Sequence, residues 1–471
     1  MIFWLVVGVS HLLGLAAAVH AIWNARTPQG GIVWVISLAV VPYLALPAYL
    51  LFGRARYLRY LAERRRNDQR AERVTGDPGR LLETRGTAPV HAASGVALLE
   101  TLPETQLTGG NAVRLLIDGE ATFEAIFEAI QGAERYVLVQ FYVIRDDQLG
   151  QALKDRLIRK ARDGVRVLVL YDEIGSHDLA GSYAEELRAA GAAVSAFGSP
   201  RNRLHRFQLN YRNHRKSVVV DGRVAFIGGH NVGDEYMGRD SRYGHWRDTH
   251  LRIEGPAAID VQAAFLKDWY WATGELPELC WTPSASPGDS TDVLVVPTSP
   301  ADRFRTAQLF FTGAINSARQ RLWIATPYFV PDEAVVAALR LAAFRGVDVR
   351  ILIPERTDHH LFYLSSFSYT EMLEPYGIEF FRYGPGMMHQ KVMLIDDDAA
   401  MIGTANLNNR SLRLDFEISA LVLGRDFATE VERMLRTDLK NSRPAKTGEL
   451  KEKPFWFRLS VRAVRLLDPV K

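Results

Sequence analysis

The feature that most constrains this chain is an internal duplication whose two copies end in the same constellation. His214, Lys216 and Asp221 are followed by Gly228, Gly229 and Asn231; at identical spacing, His389, Lys391 and Asp396 are followed by Gly403, Thr404 and Asn406. One chance match to five fixed letters in a chain of this length has odds of roughly one in several thousand. Two matches at equivalent places make coincidence a poor explanation.

The surroundings repeat as well. In the first copy helical periodicity over Thr122–Ala133 precedes an apolar β-rich run, Tyr136–Ile144. A helix over Leu149–Asp163, a strand over Val165–Tyr171 and a helix over Ala184–Ala190 follow, with a further strand at Ala193. The second copy runs through helix Thr306–Ser317, strand Leu322–Ala325, helix Glu333–Phe344, strand Val347–Ile353, a helix up to Glu374 and strand Ile378–Phe381. Gly164-Val165-Arg166-Val167 recurs as Gly346-Val347-Asp348-Val349. Strands alternating with helices of this length predict an α/β sandwich in each copy. A period of about 180 residues means a duplicated domain and not a solenoid.

The motif residues suit phosphoryl chemistry. Ser217–Val220 and Val224–Ile227 flank Asp221-Gly222, a hairpin signal, and Val392–Ile395 and Ala399–Ile402 do the same around Asp396. Residues i and i+2 of a strand share a face, so His214 and Lys216, and likewise His389 and Lys391, are expected to point the same way. A neutral imidazole beside an ammonium suits attack on, or protonation of, a phosphodiester held by the lysine. Gly228, Gly229, Gly403 and Thr404 are expected to let backbone amides approach a phosphate, with Asn231 and Asn406 as further donors. Asp221 and Asp396, the third members of each catalytic motif, sit at turns and are read as structural or charge-balancing. No His/Asp cluster has metal-ligand spacing.

The rest of the chain says where this chemistry happens. Residues 1–23 and 31–52 are two apolar runs, each long enough to cross a bilayer core. Residues 24–30 form a turn between them, and Trp4, Trp23 and Trp34 lie near the run ends as interfacial aromatics do. Pro42 and Pro47 are tolerated in such a span; His11 and His20 are assigned no chemistry. A cleaved signal peptide is disfavoured because no basic segment precedes the first run. Residues 54–73 carry a balance of +5 and residues 440–471 one of +6; with Arg26 also removed, the net +3 leaves −9 for residues 74–439. A nucleic-acid binder would carry positive charge on its working domain, whereas basic flanks meet an anionic membrane. The arginines after the second run place the large domain in the cytoplasm by the positive-inside rule. Cys280, the only cysteine, rules out an intramolecular disulfide and reads as a buried thiol.

With these residues in view, the chain resembles the phospholipase D superfamily over residues 106–440, and more specifically the bacterial cardiolipin synthases. The second resemblance rests on the two N-terminal runs ending in Tyr49–Gly53, on Gly233-Asp234-Glu235-Tyr236 and on Trp246-Arg247-Asp248-Thr249-His250. Gly-Gly and Gly-Thr here replace the family's common Gly-Ser. The resemblance implies a double displacement through a phosphohistidine, with His214 as nucleophile and His389 as acid and base. It implies that Asp248 and Glu417 orient the histidines, and that neither metal nor cofactor is used. It further implies phosphatidyl transfer between two phosphatidylglycerol molecules with release of glycerol, at the bacterial inner membrane.

The expected architecture is therefore two tandem phospholipase D-like α/β sandwich domains preceded by two transmembrane helices. The expected boundaries are a hairpin over 1–53, a basic linker over 54–105, domains over 106–285 and 286–440, and a basic amphipathic tail over 441–471. In the tail, Arg458, Arg462 and Arg465 share a helical face that favours an interfacial helix. The basic segment Arg201–Lys216 is either a solvated loop or an anionic headgroup site. Asp268–Trp271 is read as core, and His359-His360 as surface or packing. A hydrolytic phospholipase D would use the same motifs with water as acceptor; a nuclease is disfavoured by the apolar runs and anionic body. The expected partners are anionic phospholipids and the membrane, not nucleic acid, and a homo-oligomer is compatible with the sequence.

Overall fold

The computed structural model describes residues 2–25, 28–52, 54–75, 99, 101–102, 105–198, 211–286, 291–466 and 468. They form two compact units, divided after Arg70.

The N-terminal unit holds α1 (Ile2–Asn24), α2 (Pro28–Val40), α3 (Pro42–Phe52) and the start of α4 (Arg54–Thr75). Trp4–Asn24 is long and apolar enough to cross a membrane, while the apolar helix Gly30–Val40 is shorter. The second apolar run, expected as one span, folds as two shorter helices, α2 and α3. Pro42 has no N–H to donate and crowds the preceding turn, so the apolar run divides there, although Pro47 stays inside α3. The helices pack closely: a Cβ on Gly14 would lie 2.3 Å from the Leu38 carbonyl oxygen. His20 is satisfied by the Tyr49 hydroxyl at 2.8 Å, and Trp34 packs edge-on to Tyr49 instead of standing free. The basic linker begins as helix α4, where Arg64 is buried and paired with Asp68. Residues 76–98 of that linker, and Gly53, lie outside the described residues.

The second unit contains the repeat. The first copy runs β1 (Thr108–Ile117), α5 (Asp118–Gln131), β2 (Tyr136–Phe141), α6 (Gln148–Arg162), β3 (Arg166–Asp172), α7 (Gly181–Ala189) and β4 (Ala193–Phe197). It continues with the hairpin β5 (Ser217–Val220) and β6 (Val224–Gly228), then β7 (His245–Arg247), β8 (Thr249–Glu254) and α8 (Ala257–Thr273). The second copy runs β9 (Thr291–Thr298), α9 (Thr306–Ser317), β10 (Arg321–Ala325), α10 (Glu333–Phe344), β11 (Asp348–Pro354), α11 (His360–Leu373) and β12 (Glu379–Tyr383). Then come β13 (Gly386–Met388), the hairpin β14 (Val392–Ile395) and β15 (Ala399–Gly403), α12 (Asn409–Arg413), β16 (Glu417–Leu423) and α13 (Arg425–Lys440). The tail adds β17 (Ser442–Pro444) and α14 (Phe455–Arg465).

Local sequence explains these elements. β2, β5 and β14 are buried along their whole length, as the near-continuous apolar runs of central strands must be. Asp147 and Asp332, at equivalent positions, cap α6 and α10 by accepting from the backbone N–H of Gly150 and Val335. In each copy the sheet buries one helix-covered face: Phe123, Ile126, Leu153 and Leu157 pack with Val137 and Val167, and Phe310, Ala314, Val335 and Leu339 with Leu322 and Val349.

The two copies do not stand apart as separate sheets. The strand order β4-β3-β2-β5-β6-β8-β1 meets β9-β16-β15-β14-β10-β11-β12-β17 at an antiparallel β1–β9 contact, giving one 15-stranded mixed sheet. The expected tandem domains are therefore two halves of a single compact unit. Further links cross between the copies: β7 pairs in parallel with β13, Gly244 bridges Gly386, and Asn213 bridges Phe416. Cys280 is half-buried instead of buried.

Candidate active site

The site is built from the ends of the two motif hairpins. Asp221 and Asp396 occupy the turns with φ of 54° and 52°, a left-handed conformation that aspartate tolerates better than most residues. The Asp221 carboxylate accepts from the backbone N–H of Glu134, Arg135 and Tyr136. Asp396 accepts from Arg319, Gln320 and Arg321 in the same way. Each aspartate thereby fastens its turn to the start of β2 or β10, at the opposite end of the strand from the histidine. The motif length is the length of that strand.

At the other end, residues 214–216 precede β5 instead of lying within it, yet His214 and Lys216 do share a side. The His214 ring lies 5.0 Å from that of Tyr142, and the Lys216 ammonium 5.3 Å from the same ring. In the second copy Lys391 Nζ lies 3.1 Å from His389 Nε2, and the His389 ring packs on Trp246 and Tyr328.

The orienting carboxylates are exchanged between the copies. His214 Nδ1 is 2.9 Å from Glu417 of the second copy, and His389 Nδ1 is 2.7 Å from Asp248 of the first. The backbone follows the same exchange. His214 N–H donates to Phe416 O, and His389 N–H donates to Arg247 O, the residues just before each carboxylate. A neutral histidine donating through Nδ1 to a carboxylate presents Nε2 to the cleft. Ser411 and Thr404 hydroxyls clamp Glu417. Asp248 is held by the Thr249 N–H, and a Cβ on Gly229 would lie 1.9 Å from its carboxylate oxygen. Gly229 therefore makes room for Asp248, where the equivalent Thr404 grips the longer Glu417.

Burial sets the protonation states. Desolvation and the lysines lower the His214 pKa well below its usual value. His389 is brought down to about 4, by desolvation first and by Lys391 next. Burial also lowers Lys216 to about 7 and Lys391 to about 8. The two carboxylates diverge. Desolvation pushes Glu417 up to about 7, whereas for Asp248 Lys391 and the histidines outweigh desolvation and hold the carboxyl far below its usual range.

Behind each histidine the middle residue of the motif is tied to a long helix. Arg215 donates to Asp268 of α8 at 2.8 Å, and Gln140 and Asn213 donate to the same oxygen. Gln390 donates to Asp438 of α13, which also holds Arg247. Arg215 is thus buried within the protein and is not part of a headgroup surface; Arg201, Arg203 and Arg206 lie outside the described residues. Truncating Asp268 would leave Arg215 an uncompensated buried cation. Asp268→Ala is expected to cost about 3–5 kcal/mol of stability, checked by chemical denaturation; a change below about 1 kcal/mol would refute this role.

The remaining expected residues are placed as follows. Asn231 Oδ1 accepts from Val143 N–H, and its Nδ2 donates to the Tyr236 hydroxyl. Asn406 Oδ1 is buried with no partner among the described residues. The amides of Gly229, Gly403 and Thr404 donate to carbonyls of the sheet, so the close packing of these residues serves neighbouring strands and not an open phosphate path. His359 is an exposed residue at the start of α11, its ring 5.8 Å from Tyr328. Tyr142 and Tyr328, which flank the two histidines, were not singled out from sequence. They follow equivalent strands, and aligning the repeat past β2 and β10 would have found both. Among the described residues, no group of three or more His, Cys, Asp or Glu side chains is placed to hold a metal ion.

A duplicated sheet with two histidine–lysine pairs at one shared centre defines a phospholipase D-like enzyme. The family model described as cardiolipin synthase, phospholipase D-like domain, matches residues 126–269 and 311–439. A cardiolipin synthase A of Pseudomonas putida (strain W619) is 46% identical over 99% of this chain and 98% of its own length. One from Pseudomonas fluorescens is 45% identical over 100% and 98%. The chain belongs to the cardiolipin synthase family. The crystal structure of a phosphatidylserine synthase from Haemophilus influenzae shares the fold, with a TM-score of 0.59 at 16% identity over 80% of this chain and 99% of that one.

Proposed function

We propose that this protein makes cardiolipin by moving a phosphatidyl group from one phosphatidylglycerol to a hydroxyl of another. His214 Nε2 attacks phosphorus, the bond to the glycerol oxygen breaks, and His389, entering this step as the imidazolium that Asp248 stabilises, gives that oxygen its Nε2 proton. Glycerol leaves; His389 then takes the proton of the acceptor hydroxyl, whose oxygen attacks phosphorus and releases His214. Lys216 and Lys391 hold the non-bridging oxygens as charge builds on them. The exchange of carboxylates between the copies carries this reading, because it makes one site with two unequal histidines. Neutral His214 suits a nucleophile, and fully ionised Asp248 suits a partner that must become imidazolium. Gly229 and Thr404 serve this site through the carboxylates they accommodate and grip, and Asn231 and Asn406 brace its walls.

The same proposal includes a multi-pass anchor formed by residues 1–53 in the bacterial inner membrane, with the two copies, over 106–285 and 286–440, in the cytoplasm. The arginines of residues 54–73 support that orientation.

Full-length enzyme with phosphatidylglycerol is expected to yield cardiolipin and glycerol in equal amounts. Phosphatidic acid as sole lipid product would overturn the proposal in favour of hydrolysis. A lysine whose pKa is lowered by burial keeps its charge only below that value, so kcat/KM is expected to fall as pH rises through about 7 to 8. A flat profile to pH 9 (an increase of about one unit) would remove the lysines from phosphate binding.

A further inference from the structure

Helix α14 carries two apolar faces. Phe457 and Val461 pack inward with Phe367, Tyr363 and Leu450, Phe457 at 5.1 Å from Phe367 and 6.4 Å from Tyr363 of α11. At 3.6 residues per turn, Phe455, Trp456, Leu459 and Leu466 fall on the opposite side. They are 60%, 73%, 46% and 82% exposed. A surface helix with one docked stripe ordinarily turns polar residues outward; this one turns outward a tryptophan, a phenylalanine and two leucines. Arg458, Arg462 and Arg465 border that face, and the helix contains no acid.

We propose that the outward face of α14 is a peripheral membrane contact that inserts among the headgroups of an anionic bilayer and seats the second copy's wall of the cleft on it. Amphipathic helices with aromatic and leucine side chains beside a cationic border bind such surfaces. A second copy of the chain fits less well, since a two-fold contact would set the same arginine border against itself. The face is also continuous with the site. α11 and α14 run in the same direction, because Phe457 meets Tyr363 while Arg462 reaches Glu371 and Arg465 reaches Met372. The aromatic end of α14 therefore lies beside the first turns of α11. There Leu361 is exposed, and Phe362 stacks on Tyr328 at 4.4 Å, whose ring is 6.1 Å from His389. A surface seated at this end is linked to the acid–base histidine through two packed rings. The inference rests on the lipid substrate proposed above, and it adds how that substrate's surface is engaged.

The test uses full-length protein in phosphatidylglycerol vesicles. A dye is attached at Trp456→Cys in a Cys280→Ser background, and quenching by brominated lipids is compared with that at Glu185→Cys on α7. Quenching at position 456 at least about twofold greater is expected; equal quenching overturns the proposal. Trp456→Glu combined with Leu459→Glu is expected to lower turnover on vesicles about tenfold, the size of one lost apolar anchor. On short-chain phosphatidylglycerol dispersed as monomers the same variant should stay within about twofold of the parent. Equal loss on both substrates would make the face a fold support, and a high yield of Trp456→Cys disulfide dimers would make it a contact between copies; either refutes membrane docking. Quenching reads docking whether or not cardiolipin forms, so this proposal and the proposed function fail separately.

Discussion

Replacing His214 with alanine is expected to abolish covalent labelling of the protein by a phosphate-labelled phosphatidyl donor and to lower turnover by at least about a thousandfold. The loss is large because a nucleophile has no substitute: without Nε2 of His214 no nitrogen–phosphorus bond forms and the two-step route closes. His389→Ala should behave differently. With a leaving group that needs no proton, such as a nitrophenol ester, the first step survives, but the acceptor hydroxyl then has no base. Label should accumulate on His214 and turn over slowly. The measurement is acid-labile, base-stable label on each variant, with turnover in parallel. Label that survives His214→Ala and is lost in His389→Ala would reverse the assignment of the two residues.

Asp248→Asn should cost about a hundredfold to ten-thousandfold in kcat, the range seen when the carboxylate behind a catalytic histidine is neutralised. The carboxyl of Asp248 is held far below its usual range and stays ionised throughout the working pH. Its 2.7 Å contact keeps the Nδ1–H tautomer of His389 and stabilises the imidazolium that gives its Nε2 proton to glycerol's oxygen and re-forms as the acceptor hydroxyl is deprotonated. An asparagine can present its N–H to Nδ1 and select the wrong tautomer. Because the carboxylates are exchanged, the effect should appear on the histidine of the opposite copy. In a double-mutant cycle Asp248→Asn should add almost nothing to His389→Ala and should retain its cost beside Glu417→Gln. Coupling of Asp248 to His214 would refute the exchange.

Much of this was legible in the letters. The two motifs, their hairpins and the strand–helix alternation follow from local patterning, and all reappear in place. The aspartates were correctly expected at turns, because Asp221-Gly222 sits between two β-branched runs. Asp248 and Glu417 were visible as candidates only through resemblance, and nothing local could say which histidine each serves. Their pairings span 141 and 203 residues. Tyr142 and Tyr328 carry no motif, and Arg215 looked like one more exposed charge until Asp268 was found against it. Pro42 could be read as tolerated or as a break with equal justice from sequence, and packing around Gly14 and Leu38 accompanies the break.

By itself, then, the sequence determined the reaction class, the duplicated α/β architecture and the residues proposed for the chemistry, because each depends on short-range spacing: two residues between histidine and lysine, seven for the motif. Tertiary structure alone decided that the copies form one sheet through β1 and β9, and that each histidine takes its carboxylate from the other copy. It also decided that the two histidine–carboxylate pairs are chemically unequal. These are properties of desolvation and of contacts between distant segments, and a pKa that burial moves from its ordinary value has no counterpart in the order of the residues.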